Sequence, residues 1–353
     1  MHKIKHSKPY IDQEDIKAVS DVIASGNHSS GKKTREFKNK VRKLIGTNYA
    51  KATTSGTTAL HLALLSLDIH KGDEVILPSY VCQAVLNAVN YTHARPVLAD
   101  IDPDFNKGYN ISANTIKSLI NPKTKAIIVP HMFGTPANIN EINDLGIPVI
   151  EDCAQSLGIY DKENNITGNK GLLSIFSFYA TKMISTGNGG MVTTSNTTLK
   201  QKLEDLTKYD KRKSYQIAYN YNMSDIQSAL GMSQLKKLPT FIQTRKEIAE
   251  RYNEAFKNLG LILPNLEQGV PFRYVIGLKD KDQRDVLENK LKEKNIEVNK
   301  PIFKPLHQYL KFNKKNFINS EKAYNTTLSI PIYPALKDEE VNYIIENITN
   351  LLT

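Results

Sequence analysis

The chain has 353 residues, 40% of them hydrophobic and 24% charged, which allows two domains with substantial cores and excludes wholesale disorder. Its net charge of +11 comes from dispersed basic residues without a nucleic-acid-binding motif, so an anionic small substrate or plain solubility explains it without a nucleic-acid partner. The sequence has no apolar signal-peptide core and no apolar run of transmembrane length, so we expect a cytoplasmic protein without a membrane partner. Cys82 and Cys153 lie far apart, which excludes a disulfide framework and a zinc-binding spacing.

Hydrophobic spacing in the first 150 residues predicts helices that alternate with short strands. The predicted helices cover residues 11–24, 34–44, 52–67, 81–89, 111–120 and 139–145, and the predicted strands cover 74–77, 96–99, 126–129 and 148–150. Strands that alternate with helices predict an α/β fold with a parallel sheet buried on both faces. In such a fold, ligands bind at the carboxyl ends of the strands.

The rest of the chain predicts further helices and a smaller α+β domain. Residues 225–238 form a predicted helix that Pro239 is expected to end, and a long helix over 241–259 is expected to link two domains. We therefore divide the chain into a large α/β domain, residues 1–240, and a small C-terminal α+β domain, residues 241–353. The remaining predicted elements are helices 198–206, 283–294 and 338–352 and strands 272–278, 296–299 and 328–331.

Hydroxyl side chains and a glycine stand at the start of the third predicted helix, between Thr54 and Thr58. A helix start suits an anion, because its free N–H groups and the positive end of its dipole point outward. The same residues also fit ordinary N-capping by Ser55 or Thr57. This segment alone leaves both interpretations open.

Two charged residues follow predicted strands of the same sheet. Asp152 comes two residues after the end of strand 148–150, where an acid commonly caps the next turn but could instead face a buried cationic nitrogen. Lys182 is predicted to stand at the end of a strand, before the glycine-rich turn 187–190. Most lysines are solvated surface charges, but a desolvated lysine loses its proton more easily and can form a Schiff base.

Several motifs stand in a fixed order along nearly the whole chain: TSGTTAL (54–60), GDEVILPSY (72–80), KTKAIIVPHMFGTPANI (123–139), VIEDCAQS (149–156), FSFYATKMISTGNGG (176–190), YNYNMSDIQSALGMSQL (219–235) and LSIPIYPAL (328–336). This order resembles the DegT/DnrJ/EryC1/StrS aminotransferases, pyridoxal-phosphate enzymes that mostly aminate nucleotide-linked keto sugars. The resemblance implies an aspartate-aminotransferase-like α/β fold, with a mostly parallel seven-stranded sheet and a smaller C-terminal α+β domain. It also implies pyridoxal 5′-phosphate as the cofactor and no metal.

The resemblance also implies roles for individual residues. Lys182 would hold the cofactor as an internal aldimine and then act as general base and acid. Asp152 resembles the acid paired with the pyridine nitrogen, which keeps the ring an effective electron sink, and Gln155 resembles the residue beside the ring hydroxyl. The positions that bind the cofactor phosphate in relatives are Thr57, Thr58 and Ser177.

The loop YNYN, residues 219–222, carries two candidate asparagines. Some relatives have asparagine at the first of these positions and arginine at the second. Others have asparagine at the second position, where it reaches the phosphate in the neighbouring subunit. The resemblance therefore implies a homodimer with shared active sites and leaves the choice between Asn220 and Asn222 open.

A few positions depart from the family pattern. Many relatives stack an aromatic residue on the cofactor ring where Cys82 stands, so either its sulfur or Tyr80 could cover the ring, with simple burial of Cys82 as the alternative. Relatives often have His-Gly at Tyr209-Asp210 and glycine at Ala218, in loops that border the substrate. Weaker candidates are His307 at the site's mouth unless it is an ordinary surface histidine, His131 as a support, and Arg273 or Lys300 against a diphosphate.

The resemblance predicts amino transfer, with L-glutamate as the donor, to a keto group of a nucleotide-linked deoxy sugar for polysaccharide or lipopolysaccharide biosynthesis. Transamination of a small phosphorylated ketone is the alternative. A sugar dehydratase of this family is disfavoured, because that branch carries histidine in place of Lys182. A regulator that binds the cofactor without turnover is disfavoured, because the sequence offers no appended DNA-binding domain.

Overall fold

A seven-stranded sheet forms the centre of the structure, a computed structural model that describes residues 3–353. Its strands are β1 (Tyr49–Thr53), β2 (Glu74–Pro78), β3 (Arg95–Ala99), β4 (Thr124–Pro130), β5 (Val149–Asp152), β6 (Leu173–Ser177) and β7 (Gly190–Thr194). They lie in the order β1-β7-β6-β5-β4-β2-β3; β7 runs antiparallel to both β1 and β6, and the other neighbouring strands are parallel. The predicted α/β class with a mostly parallel sheet is confirmed.

Helices cover both faces of this sheet, because its strands carry hydrophobic side chains on both faces. The helices of this region are α1 (Gln13–Ala24), α2 (Lys32–Ile45), α3 (Gly56–Ser66), α4 (Gln83–Tyr91), α5 (Ala113–Ile116), α6 (Ile139–Asn143) and α7 (Thr197–Leu206). On β2, Val75 and Leu77 pack with α3 and α4, whereas Ile76 packs with α5 and α6 on the other face.

One long helix, α8 (Asp225–Phe256), continues through Pro239, so the predicted helix end at this proline is wrong. Pro239 is exposed, and water can therefore bind the carbonyl group that its missing N–H leaves free. Buried side chains hold α8 on both sides of Pro239, Leu238 in the large-sheet cluster and Tyr252 in the C-terminal cluster. The division at residue 240 falls inside this helix and stays a prediction. Neither α8 nor any other helix among residues 3–353 is long and apolar enough to cross a bilayer.

The chain after α8 forms a small antiparallel sheet with helices packed against it. Its elements are α9 (Lys281–Glu293), α10 (Leu306–Tyr309), α11 (Ile318–Thr326) and α12 (Asp338–Leu352), with strands β8 (Tyr274–Gly277) and β9 (Thr327–Ile330). The predicted strand over 296–299 is wrong. Ile296 bridges Ile4 and Asn299 bridges Ser329, and because the two ends meet different partners no continuous ladder forms.

The carboxyl ends of the parallel strands place the candidate residues along one edge of the large sheet. Thr54 directly follows β1, Asp152 is the last residue of β5, and Cys82 lies shortly after β2. Lys182 lies five residues beyond the end of β6 at Ser177, in the loop to β7, so its predicted position at a strand end is wrong.

Candidate active site

The start of α3 offers free backbone donors. Ser55 is the N-cap: its hydroxyl accepts the Thr58 N–H at 3.1 Å, and the Thr58 hydroxyl accepts the Ser55 N–H at 3.0 Å. This capping box leaves the N–H groups of Gly56 and Thr57 without such partners, in the first turn, where the helix dipole favours an anion. Ser55 therefore makes the cap, while a place for an anion remains beside Thr57.

Ser177, at the end of β6, lies against this helix start. A Cβ atom on Gly56 would lie 2.8 Å from the Ser177 Cβ and 3.1 Å from its Oγ, so only glycine allows this approach. The hydroxyls of Thr57 and Ser177 make no hydrogen bonds among the described residues, whereas the Thr58 hydroxyl donates to the Ser55 carbonyl at 2.8 Å. The hydroxyls of Thr57 and Ser177 and the free N–H groups thus form a cradle that fits a phosphate.

Asp152 is buried at the end of β5, with 7% of its surface exposed. Its Oδ1 accepts the Ala154 N–H at 3.0 Å, as in an ordinary turn cap, and Oδ2 makes no hydrogen bond within residues 3–353. Burial raises the pKa of this carboxyl, and the Ala154 N–H, Lys182 and His131 counteract the shift. Asp152 therefore combines the capping role with a free oxygen that a cationic nitrogen could meet.

Lys182 is held in the loop between β6 and β7 rather than extended into solvent. Its N–H donates to the Tyr179 carbonyl at 2.9 Å, and its Nζ lies 5.1 Å from the centroid of the Phe272 ring. Desolvation lowers the pKa of this lysine, while Cys82 and Asp152 oppose the shift. No carboxylate in the described part of the chain lies within 4 Å of this Nζ, so the amine is available as a nucleophile.

Gln155 and His131 have fixed orientations. The Gln155 Oε1 accepts the Phe133 N–H at 3.0 Å, which leaves the amide NH2 group free to donate. The His131 Nδ1 accepts the Ala137 N–H at 3.0 Å, so its Nε2 carries the proton that it shares with Glu151, also at 3.0 Å. His131 is buried away from solvent and supports the end of β4.

Tyr80 and Cys82 differ in accessibility. Tyr80 is fully buried, its hydroxyl lies 3.0 Å from the Thr327 Oγ1, and its ring packs near Tyr109 and Phe133. Cys82 is exposed at the N-cap of α4. Of these two candidates for covering a cofactor ring, only Cys82 is on an open surface.

The two asparagines of the loop 219–222 lie in different surroundings. Asn222 bridges Thr53, the last residue of β1, and its Oδ1 accepts a hydrogen bond from the Lys51 Nζ at 2.8 Å. Asn220 is exposed, and its side chain makes no hydrogen bond among the described residues. The structure therefore holds Asn222 and leaves Asn220 free.

A cleft of about 740 Å³ opens beside Cys82 and is rich in cations and aromatic rings. Lys300 lies with its Nζ 4.7 Å from the centroid of the Tyr324 ring, and Lys304 lies at the same distance from Tyr309. The lining residues are Cys82, Gln83, Arg273, Glu288, Asn299, Lys300, Pro301, Ile302, Phe303, Lys304, Tyr309 and Tyr324. Sequence reasoning missed Lys304 and the two tyrosines. The Pro-rich segment around Lys300 was a signal for Lys304, but no local pattern pointed to Tyr324.

His307 is not a surface histidine. It is fully buried, with its Nδ1 2.6 Å from the Ser79 Oγ and its Nε2 2.8 Å from a Glu321 carboxylate oxygen. Its ring stacks on Phe317 at a centroid distance of 4.5 Å. His307 therefore ties the segment that lines the cleft to the end of β2 and to α11.

Comparisons with known proteins show which family and fold this chain is similar to. The family model described as the DegT/DnrJ/EryC1/StrS aminotransferase family matches residues 9–349. The chain is 34% identical to the GDP-perosamine synthase of Escherichia coli, over 91% of this chain and 90% of that protein. It is 32% identical to the spore coat polysaccharide biosynthesis protein SpsC of Bacillus subtilis, over 99% and 97%. The PLP form of Spr1654 from Streptococcus pneumoniae superposes with a TM-score of 0.92 at 25% identity, covering 99% and 98%.

Proposed function

This chain belongs to the DegT/DnrJ/EryC1/StrS aminotransferase family, and on that premise we propose that it transfers an amino group from L-glutamate to the keto group of a nucleotide-linked deoxy sugar. It is a pyridoxal-phosphate-dependent transaminase. The sugar, its nucleotide and the donor are the parts that we propose, together with a cytoplasmic location and a role in making a polysaccharide.

The residues of the site fit pyridoxal phosphate, which supplies an electron sink when bound. The cradle of Thr57, Ser177 and the helix start would hold the phosphate, and the free Gln155 amide would donate to the ring hydroxyl. Asp152 would keep a proton on the pyridine nitrogen through its free oxygen. Lys182, freed by the amino donor, would move a proton to and from the α-carbon of the donor.

The cleft beside Cys82 is the observation that carries the proposal of a nucleotide-linked substrate. Arg273, Lys300 and Lys304 line the cleft together with Glu288, its one acidic lining residue, so the cleft has an excess of positive charge that suits a diphosphate. Tyr309 and Tyr324 add ring faces on which a base could stack. A small phosphorylated ketone would leave most of a cleft of about 740 Å³ unfilled.

The relatives support the same substrate class. One is named a GDP-perosamine synthase, which names a nucleotide-linked amino sugar, and another is named for polysaccharide biosynthesis. The net charge of +11 fits an anionic substrate.

The proposal predicts a two-stage reaction that absorbance can follow. L-glutamate should bleach the visible band of the enzyme loaded with pyridoxal phosphate, and a nucleotide-linked keto sugar should restore it. Lys300→Met and Lys304→Met should raise KM for that sugar about tenfold each with little change in kcat, because each removes a charged contact. The control is Lys315→Met, which removes an exposed lysine outside the cleft. If only a small phosphorylated ketone restores the band, the amino acceptor is that ketone and not a nucleotide-linked sugar.

We also propose a homodimer with shared active sites. The loop before α8 exposes 91% of Tyr215 and 68% of Ile217, apolar surface that a second subunit would cover.

If Asn222 serves the neighbouring site, hybrid dimers of a Lys182→Ala subunit and an Asn222→Ala subunit contain one site with both changes and one intact site. We expect such hybrids to regain about half of the wild-type activity per dimer, by the shared-site geometry. If Asn222 serves its own subunit, every site carries one change and no intact site forms.

A further inference from the structure

Lys51 and Asn222 meet at the edge of the large sheet, directly before the start of α3. On β1, Ala50 and Ala52 pack in the hydrophobic cluster with α2, so the alternate residue Lys51 lies on the opposite face. The loop 219–222 extends this edge, because Asn222 bridges Thr53 and the Thr54 N–H donates to the Tyr221 carbonyl at 2.9 Å. Asn222 thus has a fixed backbone position at this edge of the sheet.

The contact between the two side chains fixes the direction of the Asn222 amide. The Lys51 Nζ lies 2.8 Å from the Asn222 Oδ1. An ammonium group has donors only, so the amide must turn its oxygen toward Lys51 and its NH2 group away. That NH2 group makes no hydrogen bond within residues 3–353, so it is free to donate to an acceptor. The oxygen atoms of a phosphate group are hydrogen-bond acceptors, so a phosphate suits this free donor.

Lys51 also leaves a positive charge unbalanced at this edge. No carboxylate in the described part of the chain lies within 4 Å of its Nζ, and the side chain is half-buried. Burial, with the nearby charge of Lys38, lowers the pKa of Lys51 to about 8, and Glu204 counteracts the shift only in part. The Asn222 Oδ1 is therefore the one hydrogen-bond acceptor that this ammonium group meets in the described part of the chain.

We propose that Lys51 is a positioning residue for Asn222: it turns the amide so that the NH2 group, and not the carbonyl oxygen, meets the phosphate of the cofactor. This inference rests on the proposed function, because it requires a pyridoxal phosphate site that Asn222 reaches. Without the Lys51 donor, the amide can rotate and present its oxygen, which repels a phosphate oxygen. Lys51 therefore acts on the cofactor through Asn222.

The test measures binding of pyridoxamine 5′-phosphate to the apo protein, since this ligand binds without a covalent bond to Lys182. We expect Lys51→Met to weaken binding about tenfold and Asn222→Ala to weaken it by a similar factor, as for loss of a hydrogen bond to a charged group. The double variant should bind no more weakly than Asn222→Ala, because Lys51 then has no amide to orient. Lys51→Arg should retain most of the affinity, and the exposed Lys43→Met should change nothing.

Two results would overturn the inference. Equal affinities for wild type and Lys51→Met would show that the orientation of the amide does not matter, and fully additive losses in the double variant would show that Lys51 does not act through Asn222. If Lys51→Met does not fold, Lys51→Gln replaces it, since a glutamine can accept from the Asn222 NH2 and so permits the wrong orientation. A wild-type protein that binds no pyridoxamine 5′-phosphate at all would instead refute the proposed function.

Discussion

Replacement of Lys182 with alanine is expected to abolish transamination. The proton transfers assigned to this amine are worth about 100-fold to 10,000-fold in rate, and its covalent bond to the cofactor is lost as well. The pKa of Lys182, lowered by desolvation, makes it a better nucleophile than a solvated lysine, so another lysine should not take over. The measurement is the visible absorbance of the protein with pyridoxal phosphate, before and after addition of L-glutamate.

The exposed lysine Lys162 provides the matched control, because Lys162→Ala removes the same side chain outside the site. Wild type and Lys162→Ala should show the visible band of lysine-bound cofactor and lose it with L-glutamate. Lys182→Ala should still bind the cofactor through the cradle of Thr57 and Ser177, but without that band. A Lys182→Ala variant that turns over at the wild-type rate would refute the role of this residue.

Local patterns predicted the strand ends, and these ends place most of the candidate site. Asp152, predicted to follow a strand, is the last residue of β5, because short apolar runs closed by polar residues are a local signal of buried parallel strands. Ser55 as the N-cap of α3 required the structure, since Ser55 and Thr57 fit the same capping pattern. The sequence pattern therefore predicts where these residues lie along the sheet edge, but it does not predict their hydrogen bonds.

The errors and omissions arise from contacts between distant parts of the chain. Pro239 would end an isolated helix, but packing of α8 against both hydrophobic clusters outweighs the one lost hydrogen bond. The strand β1, with Lys51 at its centre, is too short and mixed to be recognised without its partner β7. His307 is buried because Ser79 and Glu321 lie beside it, and no local pattern brings these residues together.

Asp152→Asn is expected to lower kcat by about 100-fold or more, because asparagine is neutral and cannot hold a proton on the pyridine nitrogen. The stability of the apo protein, in contrast, should stay equal or rise. Burial raises the pKa of Asp152, so the native state binds this proton more tightly than the unfolded chain does. The stabilisation by this group is therefore present below the unfolded pKa of about 3.9 and is lost as the pH rises through the higher folded value.

At pH 7 the charged Asp152 carboxylate thus costs folding free energy, and asparagine of nearly the same shape removes that cost. We expect the apo form of Asp152→Asn to melt at a temperature equal to or above that of apo wild type, whereas the exposed Asp144→Asn should change neither melting nor activity. A large drop in the melting temperature would assign the lost activity to misfolding, and full activity would refute the pairing of Asp152 with the ring. Retained stability with lost activity would mean that the burial of this acid serves its interaction with the cofactor and lowers the stability of the folded apo protein.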